Sequence, residues 1–378
     1  MRDFERTMQE AQPHLARRRG LWSYTHLDAW LLILLLLLAS YGLLILYSAS
    51  GGDMGYVTRQ GVRLGAGFAV MVLLAQFRPR FFAHWAPILY VLGIALLVAV
   101  LLFGVGAKGA QRWIALPGFR FQPSEIMKLV LPLMVAGYLA KRALPPSFKH
   151  IFISLGLVFV PVVMIMKQPD LGTSLLIAAS GIFVLLLSGI YWRYIFGALA
   201  VAAAGLPGLW MVMKDYQKQR VLTFLDPESD PLGSGWNIIQ SKAAIGSGGI
   251  SGKGWFQGTQ SQLDFLPESH TDFIIAVLAE EQGMIGVLIL LSLYLMIIAR
   301  GLIIAVQAQD SFGRLVAGSV TLTFFVYVFV NIGMVSGLLP VVGVPLPLVS
   351  YGGTSVVTLM AGFGLLMSVQ THRQMIKR

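Results

Sequence analysis

Apolar residues form about ten long runs along the chain, each long enough to cross a bilayer as a helix of ~20 residues. The first run, LDAWLLILLLLLASYGLLILYSAS, is the clearest. One long polar segment, residues 214–271, separates the seventh run from the eighth. The pattern predicts helices, with boundaries good to several residues, at about 27–48, 61–77, 82–104, 123–140, 150–167, 170–188, 192–213, 272–299, 312–338 and 349–370.

The predicted fold is therefore an all-α polytopic membrane protein of about ten transmembrane helices. A single membrane domain over residues 27–370 contains the long loop 214–271 between its seventh and eighth helices. Residues 1–26 and 371–378 form short tails. Residues 1–20 are polar and the first apolar run is too long for a signal peptide, so we expect no cleavable leader.

Composition supports a membrane protein. The chain is 56% hydrophobic and 12% charged, with a mean hydropathy of +0.75, whereas soluble domains carry roughly 25% charged residues. It contains no cysteine, which excludes disulfides and thiolate chemistry. The six histidines form no cluster with zinc-binding spacing.

The net charge of +11 raises the possibility of a nucleic-acid partner. The basic residues, however, flank the apolar runs, as membrane orientation requires, so we expect no nucleic-acid binding. Outside the long loop, most Lys and Arg residues fall on the side of the two tails. This bias predicts cytoplasmic tails, with the long loop facing outward.

Asp272 lies where the long polar segment meets the apolar eighth helix. A carboxylate at such a boundary can reach water while being partly shielded, which raises its pKa and suits it to act as a base. An Asp at the first turn of a helix is also a common N-cap. The residue alone leaves these two interpretations open.

Other polar residues are expected near the same outer face, where charges in a membrane protein usually mark a site or an ion pair. Glu125 and Lys128 share one face of the fourth helix and form either an intrahelical pair or one end of a polar cavity. Asp170 opens the sixth helix. The loop before the fourth helix contributes Arg112, Trp113 and Arg120.

Two further features favour structural roles. Glu280 and Glu281 fall two turns inside the eighth helix, where we expect cations or polar groups against them because unpaired buried carboxylates are costly. The glycine-rich stretch 246–254 is a weak match to a phosphate cradle, since no strand leads into it. A flexible loop on the membrane surface is the favoured interpretation.

The last outer loop, residues 335–353, is apolar but rich in proline and glycine. Irregular backbone at this depth must line a cavity or pack on protein, so we predict that the loop, including Ser350, forms one wall of an outward pocket. Carboxylates, cations, an indole and an apolar wall together suit an amphiphile with an anionic head. A lipid-linked diphosphate is the hypothesis that fits.

Six short segments make these features recognisable: GAQRWI (109–114), FQPSEIMK (121–128), QPDLGTS (168–174), QSKAAIGSGGISGKG (240–254), LPESHTDF (266–273) and PLPLVSYGG (345–353). Together they resemble the SEDS family of bacterial cell-wall proteins, and its elongation members more closely than its division members. The resemblance covers about residues 22–372 with no departure at the motif positions.

The resemblance implies a ten-helix inner-membrane peptidoglycan glycosyltransferase that polymerises lipid II, working with a class B penicillin-binding protein. It implies that Asp272 is the essential catalytic residue, with Glu125, Lys128, Asp170 and Trp113 at matching motif positions. A divalent cation, Mg²⁺ or Mn²⁺, is expected to assist, at a site that the sequence does not identify.

Two other classes of function stay open at the sequence level. A lipid II flippase would also use a polar cavity open to lipid, although transporters favour sites near the midplane in repeated halves. A scaffold that activates its partner would need no carboxylate. Polymer formation in detergent and the effect of Asp272→Asn discriminate among the three.

Overall fold

The computed structural model describes residues 26–107, 110–116, 119–213, 215, 218–219, 222–223, 234–262 and 269–372 of the 378-residue chain. Most of the predicted tails and part of the long loop, including Leu266 to Glu268, fall outside these ranges. The helices are α1 (Ala29–Ala49), α2 (Met54–Ala75), α3 (Pro79–Phe103), α4 (Pro123–Ala140), α5 (Phe148–Lys167), α6 (Leu171–Leu187), α7 (Trp192–Val212), α8 (Ser234–Gly248), α9 (Thr259–Gln262), α10 (Ile274–Val306), α11 (Ser311–Val335) and α12 (Thr354–Thr371).

The all-α polytopic prediction is confirmed, since each of the ten predicted spans has a helical counterpart. Among the described residues, eight helices are long and apolar enough to cross a bilayer. The helix α6 is also apolar but has only 17 residues. The apolar α7 has 21 residues and contains Pro207.

Most long helices alternate in direction because short connections join them. This alternation gives the bundle two ends, which we call the site face and the opposite face. The site face holds Asp272 and the beginnings of α2, α4, α6 and α12. The opposite face holds the beginning of α1 and the end of α12.

Many large apolar side chains point away from the core, as expected for a surface that contacts lipid. Val62 is 69% exposed, Phe152 70% and Phe103 80%. Inside the bundle, one apolar cluster is built mainly by α1, α10, α11 and α12. A second cluster is built mainly by α3, α4, α5 and α6.

A small antiparallel sheet, absent from the sequence prediction, occupies the connection between α3 and α4. Its strands are β1 (Val105–Ala107), β2 (Ala110–Leu116) and β3 (Phe119–Phe121), in the order β1-β2-β3. Trp113 pairs with Val105, and Ile114 pairs with Phe121. Strands this short carry too weak a period to be separated from a loop by sequence alone.

The eighth span departs from its prediction as a continuous helix. The helix α10 is interrupted at Gly283, which has φ 64° and ψ −158°. A nine-residue piece, 274–282, therefore precedes the longer helical piece. Residues 274–281 are all buried, so this first piece is enclosed by protein rather than lipid.

The prediction of a flexible glycine-rich loop at 246–254 is wrong. Residues 234–248 form α8, and the residues that follow pack against the interruption in α10. A Cβ on Gly248 would lie 1.9 Å from the Ala279 carbonyl oxygen, and one on Gly252 2.1 Å from the Glu281 carbonyl oxygen. Glycine is required here for close backbone approach.

Candidate active site

Asp272 lies on the site face immediately before α10. The helix begins at Ile274 with Phe273 in the N-cap position, so Asp272 is not its N-cap residue. Asp272 is half-buried. A Cβ built on Gly343 would lie 3.6 Å from Asp272 Oδ2, which places the carboxylate beside the last outer loop.

Hydrogen bonds fix the backbone around Asp272. The Asn331 side-chain amide donates to the Asp272 carbonyl at 2.9 Å and to the Val344 carbonyl at 2.8 Å. The Tyr351 amide donates to the His270 carbonyl at 2.9 Å. Both α11 and the outer loop therefore position the turn that carries the carboxylate.

Glu125 and Lys128 form the ion pair that their spacing allows, with 2.7 Å between Oε1 and Nζ. Their side chains are only 7% and 9% exposed. Lys128 Nζ also lies 5.4 Å from the centroid of the Tyr327 ring. The intrahelical pair is therefore present. Lys128 also lines a cavity of about 30 Å³ between α4, α11 and α12, but most of the lining is apolar, so a polar cavity at this position stays a prediction.

Several buried polar atoms near this pair have no hydrogen-bond partner among the described residues. They include Ser124 Oγ, Glu125 Oε2 and Thr323 Oγ1. An unsatisfied buried group costs about 1–3 kcal/mol. Their concentration beside Lys128 suits a region that receives polar groups of a ligand.

Asp170 is the N-cap residue of α6, where its Oδ1 accepts from the Thr173 amide at 3.2 Å. Its Oδ2 accepts from Gln122 Nε2 at 3.2 Å and lies 3.6 Å from Arg112 Nε. Arg112 also donates to the Pro169 carbonyl. Asp170 thus ties the beginnings of α4 and α6 to β2.

Three other residues predicted to line the substrate pocket are Trp113, Arg120 and Ser350. Trp113 lies in β2 and is partly exposed. Arg120 lies in β3, but its side chain is outside the described part of the chain. Ser350 is 1% exposed, and its hydroxyl accepts a 2.9 Å hydrogen bond from the Leu346 amide. That contact stabilises the outer loop itself.

Helix α11 connects the predicted residues into one region. Tyr327, beside Lys128, and Asn331, which holds Asp272, are four residues apart on α11. That spacing puts both on one face, separated by about 6 Å of helical rise. Asp272 and the Glu125–Lys128 pair therefore lie on the same side of the bundle.

Two arginines on the site face, in contact with the end of the outer loop, were not among the sequence candidates. Arg59 donates to the Tyr351 hydroxyl at 3.2 Å, and Arg63 donates to the Gly352 carbonyl at 3.0 Å. Arg63 also stacks over the Tyr351 ring, 4.5 Å from its centroid. Neither arginine forms an ion pair with an acid in the described ranges. Their i, i+4 spacing at the start of the second span was the available signal.

The described residues do not provide a dedicated metal cage. No group of three or more His, Asp or Glu side chains comes together within them. The two most buried carboxylates of the site, Glu125 and Asp170, already face Lys128 and Arg112. We therefore derive no chemical step through a metal, and the divalent cation stays a prediction.

These features define a polytopic membrane protein with a half-buried carboxylate and buried ion pairs at one face. The FtsW/RodA/SpoVE family model, described as cell cycle protein, matches residues 28–375. The peptidoglycan glycosyltransferase MrdB of Escherichia coli K12 is 57% identical over 362 residues, covering 96% of this chain and 98% of the relative.

Solved structures give the same result. A chain of a peptidoglycan synthase complex, described as coordinating polymerization and crosslinking, matches with a TM-score of 0.82 and 32% identity, covering 92% of this chain and 99% of that one. The rod shape determining protein RodA of Thermus thermophilus matches with a TM-score of 0.70 and 29% identity, covering 92% and 98%. The chain belongs to the FtsW/RodA/SpoVE family, as its motifs predicted.

Proposed function

We propose that Asp272 is the general base with which this chain, a peptidoglycan glycosyltransferase, polymerises lipid II during cell elongation. The observation that carries the proposal is the position of Asp272. Its carboxylate is half-buried beside the outer loop, and its backbone is fixed by Asn331. A base must be held within hydrogen-bond reach of the proton that it removes.

The reaction joins a sugar hydroxyl of one lipid-linked substrate to C1 of another. Asp272 removes the hydroxyl proton, the oxygen forms a bond to C1, and the bond from C1 to the diphosphate breaks. The leaving diphosphate takes the electron pair. General-base catalysis of this kind is worth roughly 10²–10⁴ in rate.

Cations on the site face are suited to the charge that develops on the leaving diphosphate. Lys128 and Arg112 lie in the network with Glu125 and Asp170. Arg59 and Arg63 keep donors that are not directed at carboxylates of the described chain. Preorganised donors of this type stabilise developing negative charge in a shielded site.

The lipid-facing surface beside the site suits the polyprenyl chain of the substrate. Val344, Leu346 and Leu348 of the outer loop are buried in the bundle and anchor the loop. Exposed apolar residues such as Val62, one turn beyond Arg59, continue toward the lipid-facing surface. The diphosphate can therefore stay at the rim while the tail remains in lipid.

The decisive experiment compares the parent with Asp272→Asn, using purified full-length protein and lipid II. We expect polymerisation to fall by about 10²–10⁴, with thermal unfolding unchanged within about 2 °C. Polymerisation by the Asn variant at the parent rate would rule out the base.

The same assay separates the alternative functions. A flippase produces no polymer from lipid II in detergent, where the substrate has no second side to reach. A scaffold leaves its partner's activity insensitive to Asp272→Asn. Polymer that depends on Asp272 supports the glycosyltransferase over both.

The partner is proposed to be a class B penicillin-binding protein. The similarity to a chain from a synthase complex supports this, because that complex couples polymerization to crosslinking. Co-purification of the tagged full-length chain with a class B protein tests it. Failure to recover such a protein under conditions that retain activity would argue against the partner.

The proposed location is the bacterial inner membrane, with both tails in the cytoplasm. The distribution of basic residues supports this orientation. Because the chain has no cysteine, single substitutions report topology without background. Thr58→Cys on the site face should react with an impermeant maleimide added outside, and Ser147→Cys on the opposite face should not. The reverse labelling would invert the orientation.

A further inference from the structure

The interruption in α10 is filled by a segment from the long loop, residues 248–254, which we call the strap. A helix break leaves carbonyls of its first piece and amides of its second piece without partners. Here the strap supplies both kinds of partner. The bonds, donor first, are Lys253 N to Glu280 O at 3.0 Å, Gly254 N to Glu281 O at 2.9 Å, Met284 N to Gly249 O at 3.0 Å and Ile285 N to Ile250 O at 3.2 Å.

Side chains add a second connection between the strap and the helix. Glu280 is fully buried, and its carboxylate lies 2.7 Å from Lys253 Nζ. The same carboxylate accepts from the Thr259 amide at 2.8 Å and from the Gln260 amide at 3.1 Å. It therefore holds both the strap and the beginning of α9.

The two residues that follow Glu280 attach the same end of the short helix to α1. Ser48 donates to Glu281 at 2.7 and 2.6 Å, and Tyr41 donates to Gln282 Oε1 at 2.6 Å. Three consecutive side chains thus fix one end of the piece 274–282. The buried nine-residue piece is about 13 Å long, and Asp272 lies just before its other end.

We propose that the Lys253–Glu280 pair positions Asp272 by holding the short helix 274–282 in place. Lys253 and Glu280 do not touch the reacting atoms in this proposal; they act through the helix. The inference rests on the proposed role of Asp272 as the base. It assigns to the strap a part in catalysis that its sequence, a glycine-rich loop, does not indicate.

A displaced base affects the chemical step more than substrate binding. A misplacement of about 1 Å can cost about 100-fold in rate. We therefore expect Glu280→Gln, which keeps the shape but removes the charge, to lower kcat by about 10- to 100-fold. The KM for lipid II should stay within about twofold, because the change does not reach the substrate-binding cations. Lys253→Met should act in the same direction.

The matched control is a second partly buried ion pair on the same helix. Arg300, in the longer piece of α10, pairs with Asp28 on the opposite face. Asp28→Asn breaks that pair beyond the interruption. We expect it to lower the thermal unfolding temperature while leaving kcat within about twofold of the parent.

A double-mutant cycle tests whether Lys253 and Glu280 act as a unit. The double variant Lys253→Met/Glu280→Gln should lose no more kcat than Glu280→Gln alone. If the kcat of the double variant instead falls by the product of the two single losses, Lys253 and Glu280 act independently and the proposed role of the pair is ruled out. An equal fall in kcat for Asp28→Asn and Glu280→Gln would reduce the effect to general destabilisation, which also overturns it.

The outcomes separate this inference from the proposed function. If Asp272→Asn is inactive while Glu280→Gln and Lys253→Met keep the parent kcat, the positioning role fails and the base assignment stands. If Asp272→Asn is fully active, the base assignment fails, and the positioning role fails with it.

Discussion

At the scale of single residues, the cations of the site face fall into two groups. Lys128 and Arg112 face buried carboxylates, so much of their charge is already neutralised. Arg59 and Arg63 contact a tyrosine hydroxyl and a backbone carbonyl instead. Their positive charge is therefore more available to an anionic ligand at the rim.

This difference predicts an effect of Arg59→Gln on substrate binding. A hydrogen bond to a charged group is worth about 1.5–3 kcal/mol, so the KM for lipid II should rise about tenfold or more. Arg59→Lys should restore part of the loss because it keeps the charge. Arg80→Gln, which removes an exposed arginine on the opposite face, is the control. Equal KM values for Arg59→Gln and Arg80→Gln would exclude a binding role.

A second residue-scale prediction concerns the buried pair of α4. Glu125→Gln leaves Lys128 buried with a neutral neighbour, whereas Lys128→Met leaves a buried carboxylate unpaired. Breaking one side of a buried pair costs about 3–5 kcal/mol. Both single variants should unfold at lower temperature, and the double variant Glu125→Gln/Lys128→Met should recover part of the loss. A double variant less stable than either single one would contradict the pairing.

At the scale of elements, the sequence predicted the ten membrane helices but not what lies between them. Long apolar runs identify these helices because backbone N–H and C=O groups inside a bilayer must form their hydrogen bonds within the protein. The sheet at β1–β3 and the strap depend instead on tertiary contacts. The close approach of Gly252 to Glu281 is a relation between distant parts of the chain, which no local pattern contains.

The residues of the candidate site also divide into those that the sequence identifies and those that depend on tertiary contacts. Asp272 is a candidate because it lies where the polar segment meets an apolar helix, and Glu125 and Asp170 because charges in a membrane protein usually mark a site or an ion pair. The ion pair of Lys128 followed from its i, i+3 spacing. Arg59 is harder to identify as a site residue from the sequence, because a basic residue near a helix end first suggests membrane orientation. Glu280 was rightly expected to have polar partners, but their identity depended on the strap.

The close packing of the strap against the interruption in α10 determines which glycines there can tolerate a side chain. Gly283 has φ 64°, and a Cβ there would lie 2.3 Å from the Gly252 amide nitrogen. Gly283→Ala should therefore destabilise the protein by more than about 1 kcal/mol and lower activity. Gly246, in α8, has no atom within 4 Å of an added Cβ. Gly246→Ala should leave the unfolding temperature equal or slightly raised; similar losses in both variants would argue against the packed interruption.

At the scale of the whole molecule, the two faces of the bundle differ in construction. The site face combines a sheet, an interrupted helix and an irregular loop around Asp272. At the opposite face, individual pairs of side chains connect elements that are far apart in sequence. Arg300 pairs with Asp28, and the Ser368 hydroxyl donates to the Phe77 carbonyl at 2.6 Å. The rings of His26 and His372 stack with centroids 4.2 Å apart.

The histidine stack makes the stability of the opposite face depend on pH. Burial lowers the pKa of His372 below its ordinary value of 6.5, and the nearby His26 and Arg78 add to the effect. As the pH falls below about 6.5, the unfolded chain binds a proton before the folded chain does, so folding stability decreases. The contribution is complete above this pH and is lost progressively toward the lowered pKa.

The unfolding temperature of the parent should therefore fall more steeply between about pH 7 and pH 5 than that of His372→Phe. His84→Gln, which removes an exposed histidine, should keep the parent slope. Identical slopes for the parent and His372→Phe would show that acid destabilisation arises at another group.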